Sequence, residues 1–598
     1  MSRAARFASW LVRPLRALAA EDRAVLVIAL GFAATELVTF GWDLPGSHGW
    51  ENDGIAPRDL FGGLAHNLTP GATHRYPLLH YLLLGLLSLP ALLAAVLSGP
   101  LTAAGVRSRV LSVPCMTAIA LLAKALATLM GVVCIMVLAR IVRRTVSTRA
   151  GRYAALFAAV NLTFAFYARV SNLDVPYLTW TVLALDAVLD VFESGDARAY
   201  GRVGLFGAAA VATKDQAYAS FLLVVPLYFV LLPLVSRERL SRAHVRLCLR
   251  GAATGAVAYG LASGALFNPT GFVKRLAELR GPSSELWRMY SRDAAGLRAN
   301  VADVVHAAAH DFWPTPVFAV ACLGVLLALA GKPGPTSIES RALRLLPFVA
   351  GFGSLVFFTL AVGRSEHRFL LPFGFFLAAY AGIAADAFVG ATAALRAEIV
   401  GRAVTTLVLV WCAVTSAATH LTMLGDARRE VARFLEQLPR GSTVETYGLV
   451  VYAPHFDVSP SSPYHVVRVG PERPKSRNPL VGATELEGRI ADAGLRMPAA
   501  IVVSEGFATP YLAVSDDPSR PLTGVNQARR ADTATYDFVH AAVTDGLPGY
   551  RLALAARPSL PRWARAFGLH PVAIQGTTGL SVWVLVRSDI DLPAENHG

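Results

Sequence analysis

Runs of about 20 apolar residues recur from Val25 to position 421, separated by short polar breaks. A helix of roughly that length crosses a hydrocarbon core of about 30 Å, so the pattern predicts an α-helical polytopic membrane protein. Spans are expected near 24–41, 112–139, 153–168, 174–192, 202–214, 216–235, 251–267, 313–331, 343–362, 368–390 and 402–421, about eleven in all. Only Lys214-Asp215 separates two of these, which predicts a tight hairpin. The run 78–98 is also long enough to span. With 78–98 left out, the short loops on the N-terminal side hold 17 Lys and Arg and the opposite short loops hold 6. Counting it as a span inverts that bias. It is therefore expected to be a surface-lying or re-entrant helix, opened by Pro77 and broken at Pro90.

The pattern changes at Gly425. Asp426 to Leu435 has helical spacing, and strand-like runs follow at Thr443–Tyr447, Ala500–Val503, Tyr550–Ala555 and Leu580–Val586. The stretch 455–480 reads as a Pro/Ser/Arg-rich loop. The expected organisation is a cytoplasmic amphipathic lead-in over 1–23, a transmembrane unit over 24–424, and a soluble α/β domain over 425–598. An inside N-terminus and about eleven spans put that last domain outside the cell.

Composition agrees with a membrane chain. Of 598 residues, 54% are hydrophobic and 16% charged, against about 25% charged in ordinary soluble domains. The net charge of +14 sits largely in short loops, as topology signals, and no basic patch interleaved with aromatics points to nucleic acid. In the outer loop 268–312, Trp287 and Tyr290 among arginines suit either helices lying on headgroups or a plain solvated loop. The five cysteines form no CxxC pair and predict neither a zinc site nor disulfides.

Ionised groups are costly in or near lipid, so those that persist there are candidates for function. A loop from Gly41 to Tyr76 holds Asp43, Glu51, Asp53 and Asp59 and ends in His74-Arg75-Tyr76-Pro77-Leu78. Three more polar points are expected on the same outer face: Arg169-Val-Ser-Asn-Leu-Asp174-Val-Pro176, Thr213-Lys214-Asp215-Gln216, and Gly363-Arg364-Ser365-Glu366-His367-Arg368-Phe-Leu-Leu-Pro372. Cations there would hold a phosphate, and a carboxylate would activate a hydroxyl. Bland roles compete. Asp59 and Asp174 stand where helix caps are expected, Arg169 is within reach of Asp174, and Lys214 could snorkel from a helix end.

In their order and sidedness these motifs resemble the GT-C superfamily of polytopic glycosyltransferases, in its protein O-mannosyltransferase and aminoarabinose-transferase branch. The likeness covers roughly residues 24–421. It implies a GT-C-like fold and a polyprenyl-phosphate sugar as donor, with an acceptor that is protein, lipid or polysaccharide; the Ala/Arg-rich composition suggests a bacterial chain, hence the bacterial inner membrane. It further implies that Asp53 is the general base and that Arg75, Arg169, Lys214 and Arg368 hold the carrier phosphate, with Asp174 and His367 beside them. Relatives often read Asp-Glu where this chain has Asp53-Gly54, so Glu51 is a second candidate base. They often read Lys-Pro-Pro-Leu where it has Arg75-Tyr-Pro-Leu. Some relatives bind a divalent cation, but no second Asp-x-Asp motif marks one here. A transporter of lipid-linked saccharides is the rival reading. It predicts charged residues near span centres and a two-fold internal repeat, and neither is evident.

Overall fold

The computed structural model describes residues 22–592, apart from 46–48, 52, 58, 237–240, 282–284, 286–287, 333–336, 458–460, 472–473, 475–482, 513–531, 545 and 575–576. The lead-in expected over 1–23, except for its last two residues, lies outside the described residues, as does Trp287.

Among the described residues seven helices are long and apolar enough to cross a membrane: Leu79–Leu97, Val113–Thr145, Asp174–Ser194, Asp215–Val235, Ile338–Leu360, His367–Ala394 and Glu398–Leu435. The pair Ala294–His310 and Thr315–Leu329, bent by 103°, makes an eighth if it counts as one span. The expected eleven are not all of this length. Arg23–Leu37, Thr148–Ala159 and Leu162–Ala168 are helices of 15, 12 and 7 residues. Small residues bring the helices together. A Cβ on Gly382 would stand 2.5 Å from Ala154 N, and one on Gly204 would overlap the Gly251 carbonyl. Such backbone approach is how helices associate where burial in lipid gives no hydrophobic drive.

The expected tight hairpin at Lys214 is not formed. Ala197–Thr213 packs on Asp174–Ser194 and Arg242–Ala262, whereas Tyr218–Pro226 packs on Ile338–Ser354. Glycine contact with Arg242–Ala262 draws the first helix away. Leu79–Leu97 runs through Pro90 without a break, contrary to expectation. It packs on Cys115, Met116, Ile119 and Ala123, near the start of Val113–Thr145. Deeper in that helix Lys124 donates to Phe40 O at 3.1 Å and Trp42 O at 2.7 Å and pairs with Asp43. At the far end Arg144 binds Asp186 at 2.6 Å and Asp190 at 2.8 Å.

After Gly425, Asp426 caps the helix Ala427–Leu435 by accepting from Arg428 N at 3.0 Å. Six strands follow: β1 Ser442–Tyr447, β2 Tyr464–Val469, β3 Thr484–Leu486, β4 Ala500–Ser504, β5 Tyr550–Ala556 and β6 Val582–Arg587. They form one sheet in the order β3-β2-β1-β4-β6-β5. β1 to β4 are parallel where they pair, and β6 is antiparallel to β4 and β5. Helix Ala427–Leu435 covers one face and Thr533–Val543 the other. β2 lies inside the stretch expected to be loop.

Candidate active site

The Asp53 loop is shaped around Ser171. Ser171 N donates to Glu51 Oε1 at 3.2 Å, and its hydroxyl bonds Glu51 as well. The same hydroxyl meets Ala56 O at 3.0 Å and Ala56 N at 3.2 Å, and Ile55 N reaches Ser171 O at 3.2 Å. The chain between these anchors must turn tightly. Asp53 sits at the bend with φ 61°, a left-handed conformation that a non-glycine residue adopts at some cost. A Cβ on Gly54 would stand 2.5 Å from Glu51 Oε1, so a larger residue there would displace the Glu51 carboxyl.

The bend presents Asp53 to two guanidinium groups. Arg75, from the end of the same loop, binds Asp53 Oδ1 at 3.1 Å, and Arg368, at the start of His367–Ala394, binds Oδ2. Arg75 also pairs with Asp59, and Arg368 meets Glu366 at 2.9 Å. Asp59 precedes the helix Leu60–Leu68 but makes no side-chain cap, because its carboxylate faces Arg75. A second group adjoins the first. Lys214 binds Asp174 at 2.7 Å, Gln216 donates to the same oxygen at 3.2 Å, and Gln216 also donates to the Tyr177 hydroxyl at 2.9 Å. Asp174 does not cap its helix: it is the first helical residue, after Leu173 at the cap position, and its N donates to Asn172 Oδ1 at 3.0 Å.

Two aromatic rings link the groups. Lys214 Nζ lies 5.9 Å from the rings of Tyr76 and Phe369. Arg75 lies over Tyr76 at 5.1 Å, and Arg368 and Arg364 over Phe369 at 4.7 and 4.6 Å. Lys214 and Arg368 are buried, while Arg75 is 45% exposed in its side chain. Burial lowers the local dielectric and strengthens these attractions. The site thus draws residues 53, 75, 174, 214 and 368 from distant sequence into one patch of alternating charge. Burial holds the His74 imidazole down at about 4, so it is neutral beside Arg75.

Three expected site residues stand elsewhere. Arg169 is buried against Glu36 at 3.0 Å and bonds Thr39 Oγ1 at 2.9 Å and His420 at 2.7 Å. It pairs neither with Asp174 nor with the group around Asp53. Glu51 is a buried anchor of the bend, with no contact to the cations around Asp53. His367 meets Asp311 at 3.1 Å, turned from Arg368. Sequence reasoning missed Ser171, Gln216, Glu366 and Phe369 as working parts. All four lie inside the quoted motifs, but nothing in residue type alone singles them out.

Each carboxylate of the patch already faces a cation, which suits a divalent metal poorly. Among the described residues no group of three or more His, Cys, Asp or Glu is arranged to hold one.

Residues 116–258 match the family model described as dolichyl-phosphate-mannose-protein mannosyltransferase. That stretch contains Arg169, Asp174 and Lys214. Three solved structures are similar at low identity. ArnT from Cupriavidus metallidurans bound to undecaprenyl phosphate is 15% identical, covering 81% of this chain and 94% of its own, at a TM-score of 0.42. The Archaeoglobus fulgidus oligosaccharyltransferase in the apo form is 10% identical, covering 91% and 80%, at 0.41. AglB from that organism, in complex with an inhibitory peptide and a dolichol-phosphate, is 11% identical, covering 94% and 88%, at 0.41. No curated protein matches the chain. The motif-bearing segment is thus similar to a lipid-phosphate-sugar mannosyltransferase family, and it lies in a membrane-helical fold that ends in a sheet domain.

Proposed function

We propose that this protein moves a sugar from a polyprenyl-phosphate donor to an acceptor hydroxyl at the extracytoplasmic face of a bacterial inner membrane, with Asp53 as general base. The observation that carries the reading is the arrangement of Asp53 on a strained bend between Arg75 and Arg368. The family description names a dolichyl-phosphate sugar, which supports a lipid-phosphate donor here.

In this mechanism the donor phosphate enters beside Arg75, Arg368 and Lys214, and the guanidinium groups exchange a carboxylate partner for a phosphate. Asp53, released on one side, accepts the acceptor's proton. The acceptor oxygen attacks the anomeric carbon from the face opposite the leaving group, and the C1–oxygen bond to phosphate breaks. The electron pair leaves with the polyprenyl phosphate, whose charge the Arg/Lys group holds, and configuration inverts. Lys214, backed by Asp174 and Gln216, is positioned for the phosphate by the end of Ala197–Thr213.

The test is release of polyprenyl phosphate by purified protein from a panel of polyprenyl-phosphate sugars. Asp53→Asn is expected to lower turnover about 10²–10⁴-fold with the fold intact. Normal turnover by well-folded Asp53→Asn protein sinks the assignment.

A further inference from the structure

Between the membrane helices and the sheet domain lies a buried cluster that the mechanism does not use. Arg428, fully buried in the first turn of Ala427–Leu435, has its guanidinium 4.1 Å from the Trp50 ring and 5.6 Å from the Trp42 ring. Its own domain fixes it there. Asp426 binds it at 2.9 and 2.6 Å, and it donates to Val451 O and Thr577 O at 2.7 Å each. Asp426 also accepts from Trp42 Nε1 at 2.9 Å. Beside it His455 stacks on Trp50 with centroids 4.6 Å apart and planes 19° apart. His455 Nε2 donates to Asp43 O at 2.5 Å. Burial keeps this imidazole neutral, with its pKa held down at about 4. Trp50 N in turn donates to Asp43 Oδ2 at 3.2 Å.

Trp50 stands three residues before Asp53. The sheet domain therefore grips the entry to the catalytic bend, and Ser171 grips its middle. A planar cation over the Trp50 ring with Trp42 edge-on beside it, its donors satisfied from behind, is a rigid device. We infer that Arg428 and His455 are positioning residues for Asp53, so that the C-terminal domain is a working part of the active site. This deepens the reading of Asp53 as base and rests on it.

The test uses the full-length purified protein with five variants and two readouts. Arg428→Ala is expected to lower kcat about 10²-fold while leaving the donor KM unchanged, since a shift of about 1 Å in a reacting group has that effect. Amide exchange over residues 49–57 is expected to rise, with exchange in the membrane helices unaltered. The double variant Asp53→Asn/Arg428→Ala is expected to be no slower than Asp53→Asn alone, because Arg428 acts through Asp53. Arg428→Lys keeps a cation on Trp50 and is expected to fall between wild type and Arg428→Ala. His455→Phe keeps the stacking, loses the bond to Asp43 O, and is expected to raise exchange near 43–50 with a smaller loss of kcat. These two variants carry the test if Arg428→Ala does not fold. Wild-type kcat and wild-type exchange in the variants that fold overturn the inference, and so does an additive loss in the double variant. Full turnover by Asp53→Asn removes the base assignment instead, and the exchange data still judge the grip on the loop.

Discussion

Glu51 is two residues from the proposed base and does different work. Its carboxyl is buried, and burial, then the neighbouring Asp43 charge, push its pKa up from 4.5 to about 8. An acid raised in this way is neutral in the fold, so the stability linked to it is complete below about pH 4.5 and is lost as pH rises toward 8. Apparent melting temperatures of wild type and Glu51→Gln, measured across this window, are expected to diverge, with wild type losing ground as pH rises. Parallel profiles would mean that Glu51 is charged in the fold. Arg169 gives a second prediction. Replacing it by Met leaves Glu36 buried without its cation, and breaking such a pair costs about 3–5 kcal/mol. Donor KM in the surviving protein is expected to stay unchanged, and Glu36→Met is expected to restore stability. A raised KM would return Arg169 to the phosphate site. Charge and motif made Asp53, Arg75, Asp174, Lys214 and Arg368 legible in the sequence. They do not separate Arg169 from these, because the partner that removes it, Glu36, lies 133 positions away in an apolar run.

Helix packing decides where Lys214 stands. A Cβ on Gly204 overlaps the backbone of Arg242–Ala262, whereas one on Gly207 meets only the Phe221 ring at 3.8 Å, an ordinary contact. Gly204→Ala is therefore expected to destabilise by about 1–3 kcal/mol through overpacking. Gly207→Ala is expected to be neutral or to gain up to about 1 kcal/mol of helix propensity. Thermal unfolding in detergent checks both, and equal effects would mean that the two helices do not approach at Gly204. Apolar period and length made the long helices readable, but they do not reveal breaks such as the one within 153–168, which the structure divides between Thr148–Ala159 and Leu162–Ala168. β2 was hidden because Tyr464–Val469 is six residues long and follows Ser461-Ser462-Pro463, and its stability comes from the ladder with β1, a partner no local pattern announces.

The whole molecule carries its topology in the helix Val113–Thr145. At about 1.5 Å per residue its 33 residues run about 50 Å, well beyond a core of about 30 Å. Lys124 grips the Asp53 loop, so the 21 residues after it suffice to span and the 11 before it extend on the loop side. Leu79–Leu97 packs on those first residues; it is long and apolar enough to span, and a surface-lying placement is the one the arginine bias favours. In the orientation proposed above, the sheet domain, bonded to the loop through Trp42 and Asp43, lies outside the cell, and Arg144 with its three acids lies inside. Single cysteines test it. Leu495→Cys, on the exposed short helix Ala493–Arg496 of the sheet domain, is expected to react with a membrane-impermeant maleimide in intact cells. Ser194→Cys, at the exposed end of the helix that meets Arg144, is expected to react only after permeabilisation. The reverse pattern would turn the molecule over and bring Asp53 to the cytoplasmic face, where an extracytoplasmic acceptor never meets it.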